Sequence, residues 1–441
     1  MKKIFILLCV IISCSILILG CSKNDNKSSE INEKGGSSLE SIVGNWEGSI
    51  NIPNQPLPFL IQFSSEGGTI SIPIQGLNHY PLASVKLTEQ SLFFDMKIQG
   101  QQITFDGKVD NDKITGTFSQ QGQSFPFELT KTNEQEPEED GETVQIELQD
   151  GTMKATLEMP QGEGPFPIMI IIAGSGPTDK DGNSPLLPGK NNSLKMVALD
   201  LAAHGVASIR YDKRGVGANA SLLEKEEDVS FEHFINDAAS WVQFAKEDKR
   251  FSKVGIIGHS EGSLIGMAAA NKGGADAFVS IAGAGRPIDE VLLEQLKVQL
   301  PTNLLEESKT ILEKLKKGEQ VQTVSAEIQN LFRPSVQPYM ISWLKINPQE
   351  QIQKLDCPVL IMNGNQDIQV PVTDAEALYA VKKDANFFVI EGMNHVLKEA
   401  PEDREGNLAT YSKPDLPLAK GLMDNIIEFL KENDFLASRK E

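Results

Sequence analysis

The chain has 441 residues, which is long enough for two or three domains with a sizeable core. Its hydrophobic content of 40% is ordinary for a soluble globular protein. The formal net charge is −20 at pH 7, and so acidic a surface repels nucleic acid and anionic lipid headgroups. Nucleic acid is therefore excluded as a partner, and any attachment to a membrane must come from a feature other than surface charge.

Residues 1–20 have the pattern of a signal peptide, because two lysines precede an apolar run over residues 4–19. An uncleaved membrane anchor is the alternative, since the run is close to the length that spans a bilayer. The run ends in Ile-Leu-Gly-Cys21, which resembles the lipobox of bacterial lipoproteins and implies lipidation of Cys21. We therefore expect an extracytoplasmic lipoprotein anchored to the bacterial cell membrane, with residues 21–38 as a disordered polar tether.

The cysteines exclude a disulfide framework in the mature chain. Cys9 and Cys14 leave with the signal peptide and Cys21 would carry the lipid, so that only Cys357 remains. Cys357 lies in an apolar, strand-like run and is expected to be a small core residue. The histidines are scattered without the spacing of metal ligands, and no metal or cofactor is expected.

Residues 39–131 alternate apolar and polar side chains in short runs that are separated by turn residues. The run over residues 103–109, for example, is followed by an Asn-Asp pair, and the run over residues 114–118 by a Gln-Gly pair. This pattern predicts a small all-β domain of antiparallel hairpins, in the form of a barrel or a sandwich. Residues 132–142 are acidic and contain a proline, which predicts a linker.

Strand-like and helical patterns alternate over residues 143–441. The continuous apolar run over residues 167–173 predicts a strand that is covered on both faces. The alternation as a whole predicts an α/β fold, with a mostly parallel sheet and helices on both faces. Between about residues 286 and 350 the alternation stops and leucines recur at helical spacing, which predicts a helical cap inserted between two strands.

The stretch Gly258-His-Ser260-Glu-Gly262 follows an apolar strand-like run and precedes a helix rich in small residues. A strand that enters a helix through so tight a turn forces the middle residue into a strained conformation and lifts its side chain off the sheet. The two glycines allow strand, helix and nucleophile to crowd together. We therefore predict that Ser260 is a nucleophile; an idle serine in a glycine-rich turn is the alternative.

A serine hydroxyl needs a base to take its proton. His395 is the only histidine after Ser260, and it follows the strand-like run over residues 387–390. His395 is therefore the predicted base, with a surface histidine as the alternative. His259 is expected to pack against the elbow or to orient it.

The base in turn needs a carboxylate that fixes its tautomer. Asp367 directly follows the strand-like run over residues 359–362, which is where the acid of such a triad should lie. Asp374 is the rival, but it suits the first turn of a helix better. We therefore predict a triad of Ser260, His395 and Asp367.

The tetrahedral intermediate needs two N–H donors for its oxyanion. One is predicted to be the backbone N–H of Glu261, which follows the nucleophile. The other should come from the loop Gly174-Ser-Gly-Pro177, where we favour the N–H of Ser175, with that of Gly176 as the next choice.

These stretches together resemble the α/β-hydrolase superfamily, specifically bacterial carboxylesterases and serine-aminopeptidase-like hydrolases, over about residues 143–432. The matching segments are Gly174-Ser-Gly-Pro, Asp212-Lys-Arg214-Gly-Val-Gly217, Gly258-His-Ser-Glu-Gly262, Asp367 with Val370-Pro371, and Asn394-His395. The sequence departs from the pattern at Ala173-Gly174, where many members have His-Gly, and this affects the assignment of the Ser175 donor. The Asp212–Gly217 segment is expected to be structural, with Arg214 anchoring the end of a strand.

The function predicted from the residues is a membrane-tethered serine hydrolase that cleaves small carboxylic esters, with an apolar acyl group, through an acyl-enzyme. An aminopeptidase of the proline-iminopeptidase-like type is one alternative, and it would need an acidic group for the substrate ammonium, such as Glu261. A non-catalytic surface-binding lipoprotein with a relic hydrolase domain is the other. Against the latter, every triad position holds a suitable residue type.

Overall fold

The computed structural model describes residues 39–52, 56–72, 77–98, 101–132, 141–184, 189–223 and 225–436. The described part of the chain divides into two compact units: residues 39–52, 56–72, 79–98 and 101–132 belong to the first, and residues 77–78, 141–184, 189–223 and 225–436 belong to the second. The predicted signal peptide, Cys21, the tether and most of the acidic linker lie outside the described residues. Within the described ranges, no helix is both long and apolar enough to cross a bilayer.

The strands of the first unit belong to a single sheet of nine antiparallel strands, whose order is β4-β3-β2-β1-β9-β8-β7-β6-β5. The strands are β1 Gly44–Ile50, β2 Leu57–Phe63, β3 Gly68–Ile72, β4 Leu77–Pro81, β5 Ser84–Thr88, β6 Ser91–Ile98, β7 Gln101–Asp110, β8 Lys113–Gln120 and β9 Gln123–Thr132. A sheet with period-two burial hides one face only, and this sheet curves into a half-barrel around that face. The alternation therefore produces one curved sheet rather than the two packed sheets of a sandwich.

Aromatic rings fill the concave face of this sheet. Phe59, Phe94, Phe105 and Phe127 are almost completely buried, and their ring centroids lie 4.5 to 6.0 Å apart. Stacked and edge-to-face pairs at these distances add to the free energy gained from burying the rings. The first unit therefore has a core of its own.

The second unit contains an eight-stranded sheet in the order β10-β11-β13-β12-β14-β15-β16-β17. Its strands are β10 Glu142–Leu148, β11 Gly151–Glu158, β12 Phe166–Ile172, β13 Ala207–Arg210, β14 Phe251–His259, β15 Ala277–Ile281, β16 Val359–Gly364 and β17 Asn386–Ile390. Strands β10 and β11 form an antiparallel hairpin that pairs antiparallel with β13. All other neighbours are parallel, so the carboxyl ends of β12 to β17 meet at one edge of the sheet.

Helices cover both faces of this sheet, which explains the continuous apolar run of β12. Ile168, Ile170 and Ile172 belong to one hydrophobic core, whereas Met169 and Ile171 belong to a second. The helices are α1 Ser193–Ala203, α2 Phe231–Glu247, α3 Glu261–Gly273, α4 Ile288–Gln299, α5 Thr302–Lys316, α6 Gln329–Phe332, α7 Gln337–Trp343, α8 Pro348–Gln353, α9 Val372–Val381, α10 Arg404–Ala409 and α11 Leu422–Glu432. Short 3-10 turns occur at Leu39–Ser41, Gly217–Leu222, Glu226–Asp228, Ala326–Ile328, Pro334–Val336 and Thr410–Ser412.

Helices α4 to α8 form an insertion between β15 and β16, and most of it has a small apolar core of its own. That core consists of Leu304, Ile311, Leu312, Leu315, Val324, Ile328, Phe332 and Met340. The first turn of the insertion is fixed to α9, because the buried Asp374 carboxylate accepts hydrogen bonds from the Gly285 amide and the Arg286 guanidinium. We call residues 286–353 the cap.

Candidate functional site

Ser260 lies between β14 and α3 in a conformation that few non-glycine residues adopt. Its φ is 55° and its ψ is −121°, and the surrounding backbone leaves no room for a gentler turn. A Cβ on Gly258 would lie 2.3 Å from the Gly262 carbonyl oxygen, and one on Gly262 would lie 2.3 Å from that of Ile172. The close approach of strand and helix therefore requires both glycines and holds the serine in a strained turn.

The structure brings together Ser260, His395 and Asp367. The Ser260 hydroxyl lies 3.1 Å from His395 Nε2, and His395 Nδ1 lies 2.8 Å from Asp367 Oδ2. The carboxylate can only accept at this spacing, so Nδ1 carries the proton and Nε2 offers its lone pair to the hydroxyl. Asp367 Oδ1 accepts the amides of Gln369 and Val370 at 2.8 and 2.9 Å, which fixes the carboxylate in place.

All three residues follow parallel strands at the same edge of the sheet. Ser260 directly follows β14, Asp367 follows β16 and His395 follows β17. Asp367 and His395 lie 107 and 135 positions after Ser260 in the sequence. The three residues come into contact because the carboxyl ends of parallel strands meet at one edge of the sheet. The rival aspartate, Asp374, is fully buried against Gly285 and Arg286 at the start of the cap.

His259 contacts the backbone of His395. Its Nε2 lies 2.8 Å from the carbonyl oxygen of His395, and since a carbonyl only accepts, this nitrogen must carry a proton. Burial, followed by the charge of the nearby His395, lowers the pKa of His259 to about 4. His259 is therefore a neutral donor that holds the His395 backbone, in agreement with an orienting role.

The segments that carry the two predicted oxyanion donors both adjoin Ser260. Gly174 lies against Ser260, because a Cβ on Gly174 would be 3.2 Å from Ser260 Cβ. Glu261 is the first residue of α3, so its amide has no acceptor within the helix. Neither the Glu261 nor the Ser175 amide donates to another described residue, and both amides are therefore available to a substrate oxygen.

Two residues that the sequence did not single out join this site. Lys213 Nζ donates to the Gly174 carbonyl oxygen at 2.5 Å and to Glu261 Oε1 at 3.0 Å. The Tyr339 hydroxyl in the cap donates to Glu261 Oε2 at 2.7 Å. The position of Lys213, directly after β13 at the same edge as the triad, is the one signal that could have indicated it.

The neighbours of Lys213 in the Asp212–Gly217 segment have contacts of another kind. Arg214 makes a bidentate ion pair with Asp237 of α2, at 2.7 and 2.8 Å, and a further contact with Asp150. Asp212 accepts the amides of Lys180 and Ala218. Arg214 thus ties the end of β13 to a helix and a hairpin, which is a structural role.

The aromatic side chains of the cap pack inside the protein. Phe332 and Met340 belong to the core of the cap, whereas Trp343 stacks on Phe231 of α2 with ring centroids 5.4 Å apart. Tyr339 lies beside the same ring at 6.0 Å. Trp343 and Tyr339 therefore hold the cap to α2, whereas Phe332 and Met340 stabilise the cap itself.

Among the described residues, no three His, Cys, Asp or Glu side chains come close enough together to hold a metal ion. Cys357 is half-buried, and burial raises the pKa of its thiol to about 11. A thiol that keeps its proton is a poor nucleophile.

Comparison with known proteins places this geometry in a family. Residues 190–401 match the family described as "Serine aminopeptidase, S33". The chain is 29% identical to Esterase EstD of Thermotoga maritima over 316 residues, which cover 69% of this chain and 71% of that protein. Among solved structures it is similar to Est1E from Butyrivibrio proteoclasticus, with 20% identity over 66% of this chain and 98% of that chain and a TM-score of 0.43. It is also similar to the esterase domain of a Rhodothermus marinus protein, with 16% identity over 66% and 98% of the two chains and a TM-score of 0.40.

The sheet order, the strained serine between β14 and α3 and the sequence matches agree with one another. The second unit has the α/β-hydrolase fold, and the chain is similar to esterases and to serine aminopeptidases.

Proposed function

We propose that this protein is a serine hydrolase that cleaves carboxylic esters through an acyl-enzyme. The observation that carries the proposal is the chain of contacts from Ser260 through His395 to Asp367, with Ser260 in a strained turn. The similarity to Esterase EstD supports the choice of an ester as the substrate.

In the proposed reaction, His395 Nε2 takes the proton of Ser260 as Oγ attacks the ester carbonyl carbon. The Asp367 carboxylate stabilises the imidazolium that forms, because it accepts the Nδ1 proton. Collapse of the tetrahedral intermediate breaks the bond to the alcohol, which leaves with the proton from His395. Water then attacks the acyl group of Ser260 by the same route, which releases the acid and restores the serine.

The amides of Glu261 and Ser175 are the proposed donors to the oxyanion. Preorganised backbone donors contribute a large part of the rate, and removing one costs about 100- to 1000-fold in kcat. Glu261 would donate from the N-terminus of α3, where the helix dipole also favours negative charge.

The state of Glu261 favours an esterase over an aminopeptidase. An aminopeptidase needs a carboxylate for the substrate ammonium, because burying an unpaired ammonium is costly. The Glu261 side chain is almost completely buried, and its two oxygens already accept from Lys213 and Tyr339. It is therefore committed to other partners within the protein.

We further propose that the acyl group is apolar and of short to medium length. Helix α4 of the cap lies beside the triad, since Gln295 donates to the carbonyl oxygen of Gln369, two residues from Asp367. Leu292 and Leu296 of this helix pack against the cap core and are only partly buried, so this helix carries apolar surface that is not fully covered. Burying one further methylene contributes about 0.8 kcal/mol.

The test is to compare nitrophenyl esters of increasing acyl length with aminoacyl arylamides, both free and N-acetylated. We expect ester turnover that rises roughly tenfold for each two added carbons until the pocket is filled, with little cleavage of arylamides. Efficient cleavage of free arylamides that is lost on N-acetylation would identify a peptidase instead. No turnover of any of these substrates by the folded protein would favour the binding-protein alternative.

Lipidation of Cys21 and attachment to the outer side of the cell membrane complete the proposal, and they rest on the sequence pattern alone. Cys21→Ser should move the protein from the membrane to the soluble fraction. Unchanged fractionation would favour an uncleaved apolar segment.

A further inference from the structure

We infer that Lys213 is a positioning residue that fixes and polarises the Gly174–Ser175 peptide, so that its N–H can serve the oxyanion. The inference deepens the proposed function and rests on it, because it concerns the same site. The ammonium of Lys213 lies 2.5 Å from the Gly174 carbonyl oxygen.

The geometry of one peptide unit links Lys213 to the Ser175 N–H. The Gly174 carbonyl and the Ser175 N–H belong to the same planar group, and this bond is not among the cis peptides of the chain. In a trans peptide the C=O and N–H point in opposite directions. A cation that holds the carbonyl therefore fixes the direction of the N–H, which points away from Lys213.

The sequence makes this constraint necessary. Gly174 lacks a side chain that could limit its rotation, and the next residue but one, Gly176, has a φ of 70°. A glycine-rich loop can adopt several backbone conformations at low cost. Without a partner for the Gly174 carbonyl, this peptide could turn its oxygen rather than its N–H toward the substrate.

Lys213 also connects the two oxyanion donors to each other. Its second acceptor is the Oε1 atom of Glu261, whose backbone supplies the other N–H. The side chains of Lys213 and Glu261 are 3% and 2% exposed, so water competes little for either. Water therefore screens the interaction of the pair with the Gly174 carbonyl only weakly.

The charge of Lys213 strengthens the same N–H donor that its hydrogen bond orients. A cation on the carbonyl oxygen draws electron density from the peptide and makes its N–H a stronger donor. The Lys213 ammonium also lies 5.3 Å from the centre of the Phe234 ring, which contributes a cation–π contact. Lys213 thus has three partners in place before any substrate binds.

The test uses Lys213→Met, Lys213→Arg and the double variant Lys213→Met/Glu261→Gln, in which no buried charge is left unpaired. Lys382→Met is the matched control, because Lys382 also donates to a backbone carbonyl, that of Leu355, and to a carboxylate, that of Asp384. Lys382 follows α9 and precedes the amino end of β17, which is the sheet edge opposite the triad. Melting temperatures show whether each variant is folded.

For folded Lys213→Met and for the double variant we expect kcat to fall about 10- to 100-fold with KM nearly unchanged, which is less than the loss of an entire oxyanion donor. The inhibition constant of a trifluoromethyl ketone, whose adduct with Ser260 carries an oxyanion, should rise in parallel. A non-hydrolysable ether analogue of the substrate should bind as before. Lys213→Arg should recover part of kcat, since it keeps a cation, and Lys382→Met should leave all of these values unchanged.

Unchanged ketone affinity in a folded variant, with activity reduced only in proportion to a lost folded fraction, would overturn the inference. It would show that the pair acts on stability alone. The ketone measurement also separates this result from failure of the proposed function. Ketone binding needs Ser260 and the oxyanion donors but no particular ester, so it remains informative if the wild-type protein prefers another acyl substrate.

Discussion

Asp367 and Asp374 lie seven positions apart and are both buried, yet their partners give them different tasks. Asp367 accepts from His395 and two backbone amides, whereas Asp374 accepts from Gly285 and Arg286 at the start of the cap. The two carboxylates have the same charge and similarly buried side chains. Only their hydrogen-bond partners distinguish Asp367, which contacts His395, from Asp374, which fixes a loop.

Asp367→Asn should lower kcat by about four orders of magnitude while the protein stays folded, because an amide does not hold the required tautomer of His395. Asp374→Asn should instead lower the melting temperature by several degrees, with less than a tenfold change in kcat per folded molecule. Steady-state kinetics and calorimetry on both variants provide the comparison. If Asp374→Asn were the more damaging to kcat, the acid of the triad would be assigned incorrectly.

His259 should make stability depend on pH. Its pKa is lowered from 6.5 to about 4 in the folded protein, so the unfolded chain binds a proton first as the pH falls. The contribution of His259 to the free energy of unfolding is therefore complete above about pH 6.5. It decreases as the pH falls toward 4, by at most about 1.4 kcal/mol per pH unit.

The measurement is urea unfolding of the wild type and of His259→Gln, which keeps a donor for the His395 carbonyl but does not titrate. Other groups titrate in the same pH range, among them Asp179, whose pKa is raised by burial to about 6. These groups are present in both proteins, so their contribution cancels when the free energy of unfolding of the variant is subtracted from that of the wild type. The wild type should lose more stability than the variant between pH 6.5 and pH 4.5. Parallel curves would contradict a neutral, buried His259.

Helix α7 connects the cap to the turn that contains Ser260. Its residue Tyr339 donates to Glu261, the first residue of α3. Burial and the neighbouring Glu261 carboxylate raise the pKa of Tyr339 well above its usual value, so the hydroxyl keeps its proton. The hydroxyl therefore remains a hydrogen-bond donor to Glu261 under mildly alkaline conditions.

Tyr339→Phe removes this donor and leaves Glu261 with a buried oxygen that lacks one partner. We expect a loss of about 1–3 kcal/mol in the free energy of unfolding, together with a severalfold lower kcat. Tyr379→Phe is the control, since the Tyr379 ring stacks on Phe387 and its hydroxyl bonds no other described residue. Equal effects of the two substitutions would show that the contact with Glu261 does not link the cap to the elbow.

The strands, and the contacts among Ser260, His395 and Asp367, could be predicted from the sequence because their signals are local. Apolar runs indicate β12 and β14, and His395 is the only histidine after Ser260. Lys213 and Tyr339 could not be read, since their contacts with Glu261 span 48 and 78 residues and depend on how the strands and the cap are arranged. The form of the first unit could not be predicted for the same reason. The alternation of apolar and polar residues determines which face of a strand is buried, but not whether one sheet curves or two sheets pack together.

Each unit has a sheet and buried apolar side chains of its own. The second unit should therefore fold without the first.

A chain that begins at Gly141 should give a cooperative thermal transition and keep kcat/KM on small nitrophenyl esters within about threefold of the full-length value. Circular dichroism and ester kinetics on the two proteins provide the comparison. Loss of the cooperative transition in the shorter chain would show that the two units depend on a shared core.

The central claim is that Ser260 is the nucleophile of a serine hydrolase, and covalent labelling tests it most directly. The wild-type protein is treated with a fluorophosphonate, and its intact mass and digested peptides are measured beside those of a folded Ser260→Ala variant. We predict one label per chain, on Ser260, and none on the variant. Undiminished labelling of Ser260→Ala, a label on another residue, or no reaction with the folded wild type would contradict the claim.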